Sequence, residues 1–256
     1  MSGVHLFIFC ANRYKDTFLD ACVLSIDRYI NDKILSYNIV TDKKFTYEGF
    51  NVIEDNDIWN VIDPQFKYKP LYDNNWIKQQ IIKLSLDKIC KNNILVVDAD
   101  LFFLKPVTFV ENNKHNFYMA DEYVTLYFQT ADYLCDVKKQ TEKSFISDFI
   151  IFDESVLGEI KTSIEKNHDE YWVKVINDYI KIVLKDEQCL KKGLSEYELY
   201  GNYLIQNNPE KVNNLVYPID YQMWVHTFPD DFNCSPEKFL ENISLRSNNY
   251  YQSVWL

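Results

Sequence analysis

Hydrophobic runs alternate with amphipathic segments along the first part of the chain. Residues 4–10 form a short apolar run that predicts a buried strand. Residues 16–30 carry apolar side chains at helical spacing and predict a helix. Two short runs with β-branched residues follow at 37–41 and 50–53, and a second helix is predicted from a cap at Asp73 to Cys90.

Residues 94–97 are four consecutive large aliphatics, a pattern typical of a strand that is covered on both faces. Strands that alternate with helices predict an α/β fold with a mostly parallel central sheet flanked by helices. The second half of the chain is predicted to hold further strands and helices, at residues 117–120, 145–152, 154–165, 169–184 and from Ser195 onward. No linker rich in Pro, Gly or Ser interrupts the pattern, which favours a single domain over residues 1–256.

Composition narrows the functional classes. The chain has 256 residues, 27 basic against 38 acidic, and a net charge of −11, which argues against nucleic acid as a partner and against a polybasic membrane surface. Residues 4–10 are too short and lack the basic start of a signal peptide, and no segment approaches the roughly 18 apolar residues of a membrane span. The six scattered Cys predict reduced core thiols. We therefore expect a soluble, cytoplasmic protein.

An acidic pair follows the aliphatic run. Side chains alternate along a strand, so Asp98 and Asp100 are predicted to project to the same side, with Ala99 opposite. Two close carboxylates repel unless a cation or proton lies between them, and the carboxyl end of a parallel strand faces the ligand crevice of α/β proteins. Oxygen ligands suit Mg²⁺ or Mn²⁺. The alternative is that both are solvated loop acids or helix caps.

Residues 96–106, VVDADLFFLKP, resemble the DxD segment of GT-A-fold, nucleotide-sugar-dependent glycosyltransferases. Upstream, residues 76–84 resemble the helix that gives these enzymes a basic or polar contact to the donor. Downstream, three segments fall where such enzymes place an acceptor-facing strand, an acidic turn that opens a helix and a late metal-binding His: residues 145–152, 195–201 and 224–226. The resemblance covers roughly residues 4–228 and is closest to a little-characterised group of bacterial and large-DNA-virus glycosyltransferase-like proteins.

The resemblance implies a GT-A fold and a metal-dependent hexosyl- or pentosyltransferase. Its donor would be a nucleotide-diphosphate sugar, with a UDP-sugar favoured, and its acceptor a glycan or another hydroxyl compound. Residues 1–110 would form the nucleotide-binding half, residues 111–235 the half that completes the acceptor and metal site, and residues 236–256 a C-terminal tail.

The resemblance also implies a metal site. Asp100 would ligate the ion directly, Asp98 would contact the metal or the donor ribose, and His226 would complete the set. An imidazole among oxygen ligands favours Mn²⁺ over Mg²⁺. The alternative for His226 is a packed core histidine, because its neighbours in sequence are apolar.

The donor base is expected near the ends of the first and second strands, at Ala11, Asn12, Arg13, Thr41 and Asp42. Gln79 and Lys83, from the helix before the DxD strand, are candidates to reach the diphosphate. Because they lie one helical turn apart, the alternative is that both are solvated surface residues.

The candidate catalytic carboxylates are Glu196 and Asp148. Ser195 and Glu198 predict a capping box in which the Glu198 carboxylate reaches back to a backbone N–H, whereas Glu196 has no such duty. Glu196 is the predicted general base if the reaction inverts configuration, and it would position the sugar if the reaction retains it. Asp148 is predicted to share a strand face with apolar residues, where it needs either a basic partner or sugar hydroxyls. Similar enzymes carry Asn-x-Gly at this strand, and this chain departs from that pattern.

Two other functional classes stay open. In a phosphatase of the haloacid-dehalogenase type, Asp98 would attack phosphorus, although that motif usually lies near the N-terminus and Asp230-Asp231 is the only hint of its later acidic pair. In a non-catalytic carbohydrate-binding protein, the many aromatic rings would stack on sugar faces. In either a transferase or a binding protein, Tyr197, Tyr200 and Trp224 are candidate sugar contacts.

Overall fold

The computed structural model describes residues 3–64, 75–183, 193–216, 224–226, 234–246 and 251–255. The strands in these segments are β1 Val4–Phe9, β2 Ile34–Thr41, β3 Asn51–Glu54, β4 Asn93–Asp98, β5 Leu101–Phe103, β6 Val110–Glu111, β7 Lys114–Tyr118, β8 Phe149–Asp153, β9 Val212–Val216, β10 Trp224–His226 and β11 Tyr251–Trp255. The α-helices are α1 Asp20–Tyr29, α2 Asp55–Ile62, α3 Asn75–Leu84, α4 Thr125–Cys135, α5 Glu154–His168, α6 Trp172–Val183, α7 Glu196–Asn207 and α8 Pro236–Arg246.

A mostly parallel sheet of five strands forms the centre, in the order β3-β2-β1-β4-β8. The first four are mutually parallel, and β8 runs antiparallel to β4. Four consecutive side chains of β4, Ile94 to Val97, have no exposed surface, because helices cover both faces of the sheet. The predicted α/β class with a mostly parallel, helix-flanked sheet is confirmed.

The helices lie close to their predicted positions, with differences at their ends. The first begins with a π-helical turn, Lys15–Leu19, that leads into α1. The second, α3, ends at Leu84 instead of the predicted Cys90, and the chain continues through a 3₁₀ turn, Leu86–Lys88. The ammonium of Lys161 on α5 donates to the Leu84 carbonyl at 3.3 Å, which satisfies a carbonyl at the end of α3. The predicted cap Asp73 lies outside the described residues.

The strand predicted from residue 145 begins only at Phe149. Asp148 has a φ of +60°, in the left-handed region, so the chain turns there and does not run extended. The prediction that Asp148 shares a strand face with Ile146, Ile150 and Phe152 is therefore wrong. Asp tolerates this backbone conformation better than most residues, because its short polar side chain can form local hydrogen bonds.

The last part of the sequence packs on the first half. α8 contacts α1, and the rings of Phe239 and Phe102 meet edge to face with centroids 5.0 Å apart. β11 pairs antiparallel with β5 and parallel with β10, and a separate small sheet has the order β6-β7-β9. Across the described segments, no helix has the length and apolar character needed to cross a membrane.

Candidate functional site

The acidic pair lies at the carboxyl edge of the central sheet, as the sequence predicts. Asp98 is the last residue of β4, and its N–H donates to the carbonyl oxygen of Asp148 at 2.9 Å. The N–H of Ala99 donates to the carbonyl oxygen of Phe9, the last residue of β1, at 3.0 Å. The DxD turn is thus held between the end of β1 and the segment before β8.

Lys83 on α3 places a positive charge at this edge, between the side chains of Asp98 and Glu196. Its Nζ lies 2.9 Å from Oδ1 of Asp98 and 3.1 Å from Oε1 of Glu196, and it donates to the hydroxyl of Tyr197 at 2.8 Å. Lys83 is only 1% exposed, so the surface interpretation of this residue is wrong. Burial opposes the charge on Lys83, but Asp98 and Glu196 outweigh it and raise the lysine pKa above its ordinary value.

Glu196 is the first residue of α7 and is 1% exposed. The side-chain amide of Gln80 faces it, and in the amide orientation that satisfies both groups the Gln80 nitrogen donates to the Glu196 carboxylate. Burial and the nearby Asp98 raise the pKa of Glu196, and Lys83 opposes that rise. Glu196, for which no capping role was predicted, pairs with Lys83. Its role as a general base stays a prediction.

Asp100 differs from Asp98 in that no lysine, arginine or histidine of the described segments pairs with it. Within the described segments, no side chain forms an ion pair or hydrogen bond with its carboxylate. Burial, and next the charge of Asp98, raise the pKa of Asp100 to about 7, with Lys83 acting in the opposite direction. A cation beside this carboxyl would stabilise its charged form and lower its pKa.

Asp148 contributes a backbone carbonyl to this edge, which accepts from the N–H of Asp98. Asp148 as a whole residue is partly exposed. The pKa of Tyr197 lies well above its ordinary value, because of burial first, then Asp98, Glu196 and Asp148. Asp148, Tyr197 and the DxD turn therefore lie in one electrostatic environment.

The predicted donor-base residues come together where β1 and β2 end. The N–H of Asn12 donates to Oδ1 of Asp42 at 2.6 Å, and the hydroxyl of Thr41 donates to the same oxygen at 3.4 Å. Arg13 is exposed, and its guanidinium carbon lies 4.5 Å from the centroid of the Tyr14 ring. Ala11, partly exposed, precedes the 3₁₀ turn Asn12–Tyr14. Gln79 is partly exposed on α3, beside the buried Gln80.

Glu198 has a structural role that differs from the predicted one. Ser195 caps α7 by accepting from the N–H of Glu198, which confirms half of the capping box. The predicted reach of the Glu198 carboxylate back to the start of its own helix is wrong. It accepts instead from the hydroxyl of Ser144 at 2.6 Å, the N–H of Phe145 at 3.2 Å and the side-chain amide of Asn202 at 2.8 Å.

Tyr200 is a core residue and does not face the crevice. It has no exposed surface, its ring packs edge to face on Phe152 with centroids 4.6 Å apart, and its hydroxyl accepts from the N–H of Asp153 at 2.7 Å. Its predicted sugar contact is therefore wrong.

The side chains of His226 and Trp224 lie outside the described residues, as do Asp230 and Asp231. Only the backbone of β10 is described: His226 is paired with Trp255 of β11, and Ser253 of β11 is paired with Leu101 of β5. This register places β10 two strands away from the segment that follows Asp100. In the segments that the structure describes, no group of three His, Cys, Asp or Glu could hold a metal ion.

Sequence reasoning missed two members of this edge, Gln80 and the hydroxyl contact of Tyr197 to Lys83. The available signal was spacing: Gln80 and Lys83 are three residues apart and share a helix face with the apolar stripe, which predicts a buried polar pair.

A comparison with protein families gives one match, to a family of unknown function, DUF6492, over residues 13–220. The chain belongs to the DUF6492 family. The match includes the lysine, the DxD turn and Glu196, and it ends before His226. Among curated proteins, none matches the chain.

Proposed function

We propose that this DUF6492 protein is a GT-A-fold, divalent-metal-dependent glycosyltransferase. It transfers a hexosyl or pentosyl group from a nucleotide-diphosphate sugar, with a UDP-sugar favoured, to a glycan or another hydroxyl acceptor. The observation that carries the proposal is Asp100, a carboxyl with a pKa of about 7 beside Asp98, at the carboxyl end of a buried parallel strand. This is the edge at which α/β sheets bind their ligands.

The donor set fits Mn²⁺ or Mg²⁺. Asp100 provides carboxylate oxygens without a competing cation among the described residues, and Asp98 lies two residues away on the same turn. In the proposal His226 is the third ligand, and the backbone register of β10 is compatible with that role. A bound divalent ion supplies charge neutralisation to the departing diphosphate.

The nucleoside is proposed to bind where β1 and β2 end. Asp42 is already fixed there by the N–H of Asn12, and exposed Arg13 offers a guanidinium toward solvent. Parallel strands bring these residues to the same sheet edge as the DxD turn, because β1 lies between β2 and β4. For the acceptor, Asp148 is the proposed carboxylate, because Glu196 is buried against Lys83.

A thermal-shift screen of nucleotide sugars with and without Mn²⁺ tests the proposal, because a ligand that binds the folded state raises the melting temperature. We expect a UDP-sugar to stabilise the protein only when Mn²⁺ is present, and Asp100→Ala to abolish the shift. Asp57→Ala, at an exposed position on α2, is the matched control and retains it.

The same preparation separates the rival functions. Turnover of a generic phosphate ester without sugar transfer favours a phosphatase, and glycan binding without metal or nucleotide favours a binding protein. A wild-type shift in Asp100→Ala contradicts the metal site.

A further inference from the structure

Lys83 has an unusual position for a lysine, because it is buried, charged and surrounded by oxygen atoms from two other elements. β4 provides the Asp98 carboxylate, and α7 provides the Glu196 carboxylate and the Tyr197 hydroxyl. The ammonium also lies 5.2 Å from the centroid of the Phe9 ring at the end of β1. An ammonium has three N–H donors, and the two carboxylates and the tyrosine hydroxyl occupy them.

These contacts leave Lys83 no free donor for a diphosphate. To reach a ligand, it would have to leave two carboxylates, and Glu196 would then be a buried charge without a cation. Such an uncompensated charge is strongly destabilising. The contacts therefore favour an internal role over the donor contact that the resemblance implies.

We propose that Lys83 is a positioning residue: it is the built-in counter-cation of Asp98, and Glu196 is the anchor that holds it in place. Asp98 is thereby fixed and largely neutralised before any divalent ion binds, and Asp100 is the carboxylate left open to the ion. The part of this inference that concerns the ion rests on the proposed function. The part that concerns the three side chains does not.

This arrangement also changes the role of Glu196. Its carboxylate lies between Lys83 and the amide of Gln80 and is 1% exposed, so an acceptor hydroxyl has no approach to it in this conformation. Glu196 acts through Lys83.

Titration with Mn²⁺ alone, followed by calorimetry, tests the inference on the full chain. Removing the ammonium in Lys83→Met adds net negative charge at the DxD turn, so Mn²⁺ binds at least about tenfold tighter than in the wild type. Lys83→Arg keeps the charge and stays within about threefold of the wild-type affinity. Glu196→Gln retains the Asp98 pair and binds Mn²⁺ no tighter than the wild type.

Lys161→Met is the matched control. Lys161 forms the other buried Lys–Asp pair of the described residues, with Asp87, away from the DxD turn. The Lys161→Met variant measures the cost of breaking a buried ion pair, and we expect its Mn²⁺ affinity to equal that of the wild type. Unchanged or weaker Mn²⁺ binding by folded Lys83→Met overturns the inference.

A double-mutant cycle on stability separates this inference from the proposed function. Lys83→Met, Asp98→Asn and the double variant are unfolded with denaturant in EDTA. We expect the two substitutions to be coupled by at least about tenfold in the unfolding equilibrium constant, since Lys83→Met removes the cation beside Asp98 and Asp98→Asn removes the charge that needs it. Additive effects overturn the inference.

If Lys83→Met alone does not fold, a triple variant that also carries Asp98→Asn and Glu196→Gln is expected to regain the native fold, because neither carboxylate is then left without its cation. Failure of the triple variant to fold counts against the inference. A wild-type protein that binds neither Mn²⁺ nor UDP refutes the proposed function, whereas coupling in the cycle still supports the counter-cation role.

Discussion

The N–H of Asp98 donates to the carbonyl oxygen of Asp148 at 2.9 Å, and this bond joins the two acidic segments of the crevice. Asp148 presents that carbonyl from a left-handed backbone conformation, with φ at +60°, immediately before β8 begins. The position of the DxD turn therefore depends on the backbone conformation at residue 148 as well as on the side chains that face it.

Substitutions at Asp148 separate its backbone role from its charge. Asn adopts the left-handed region readily, so Asp148→Asn is expected to keep the wild-type free energy of unfolding within about 0.5 kcal/mol. Asp148→Ala is expected to lose about 1 kcal/mol, because a non-Gly residue with no local hydrogen bonds is strained there. Denaturant unfolding measures both variants. Equal losses for Asn and Ala contradict the backbone account.

Asp100 gives the stability of the metal-free protein a specific pH dependence. Its pKa is about 7 in the folded protein and near 3.8 when unfolded, so between these pH values the folded state binds more protons. Stability at this site is therefore full at low pH and falls as the pH rises through that window, by at most about 1.4 kcal/mol per pH unit.

The test is the difference in the free energy of unfolding between wild type and Asp100→Asn, measured in EDTA from pH 4 to pH 8. We expect the wild type to lose stability relative to Asp100→Asn as the pH rises to about 7, and the difference to level off above it. A difference that does not change with pH contradicts the raised pKa.

Glu198 is expected to be a structural residue. Its buried carboxylate accepts hydrogen bonds from Ser144 and from the N–H of Phe145, which join the start of α7 to the segment before β8, and from Asn202 one turn further along α7. Glu198→Ala leaves these donors unpaired and is expected to cost about 2–4 kcal/mol of unfolding free energy. Glu159→Ala, at an exposed position of α5, is the control and should stay within about 0.5 kcal/mol.

Two helical glycines are expected to respond in opposite directions to the same substitution. A Cβ at Gly201 of α7 would overlap the ring of Phe145, so Gly201→Ala should destabilise the protein by about 1–3 kcal/mol. A Cβ at Gly158 of α5 meets nothing within 4 Å. Gly158→Ala should therefore stabilise the protein by about 0.5–1 kcal/mol through helix propensity. Thermal unfolding of the two variants side by side checks the packing of α7 on Phe145.

The spacing of hydrophobic residues was sufficient to predict most of the central sheet and its helices. The aliphatic run at residues 94–97 is β4, and the alternation of strands and helices around it is the parallel sheet. The acidic pair was predicted to lie at the end of that strand, and it does. These features can be predicted locally, because the burial of one or both faces of a strand or helix fixes the spacing of apolar residues along the sequence.

The sequence by itself determined the α/β class, the strand before the DxD turn and the cap of α7 at Ser195, since each depends on residues that are neighbours in the chain. Only the tertiary structure decided that Lys83 is buried against Asp98 and Glu196, that Glu198 bonds to Ser144, and that Asp148 lies at a turn. The first two relationships join side chains far apart in sequence, and whether a charged residue meets water or an opposite charge depends on which elements pack against it. The turn at Asp148 is bonded through its carbonyl to Asp98, which is also distant in the chain.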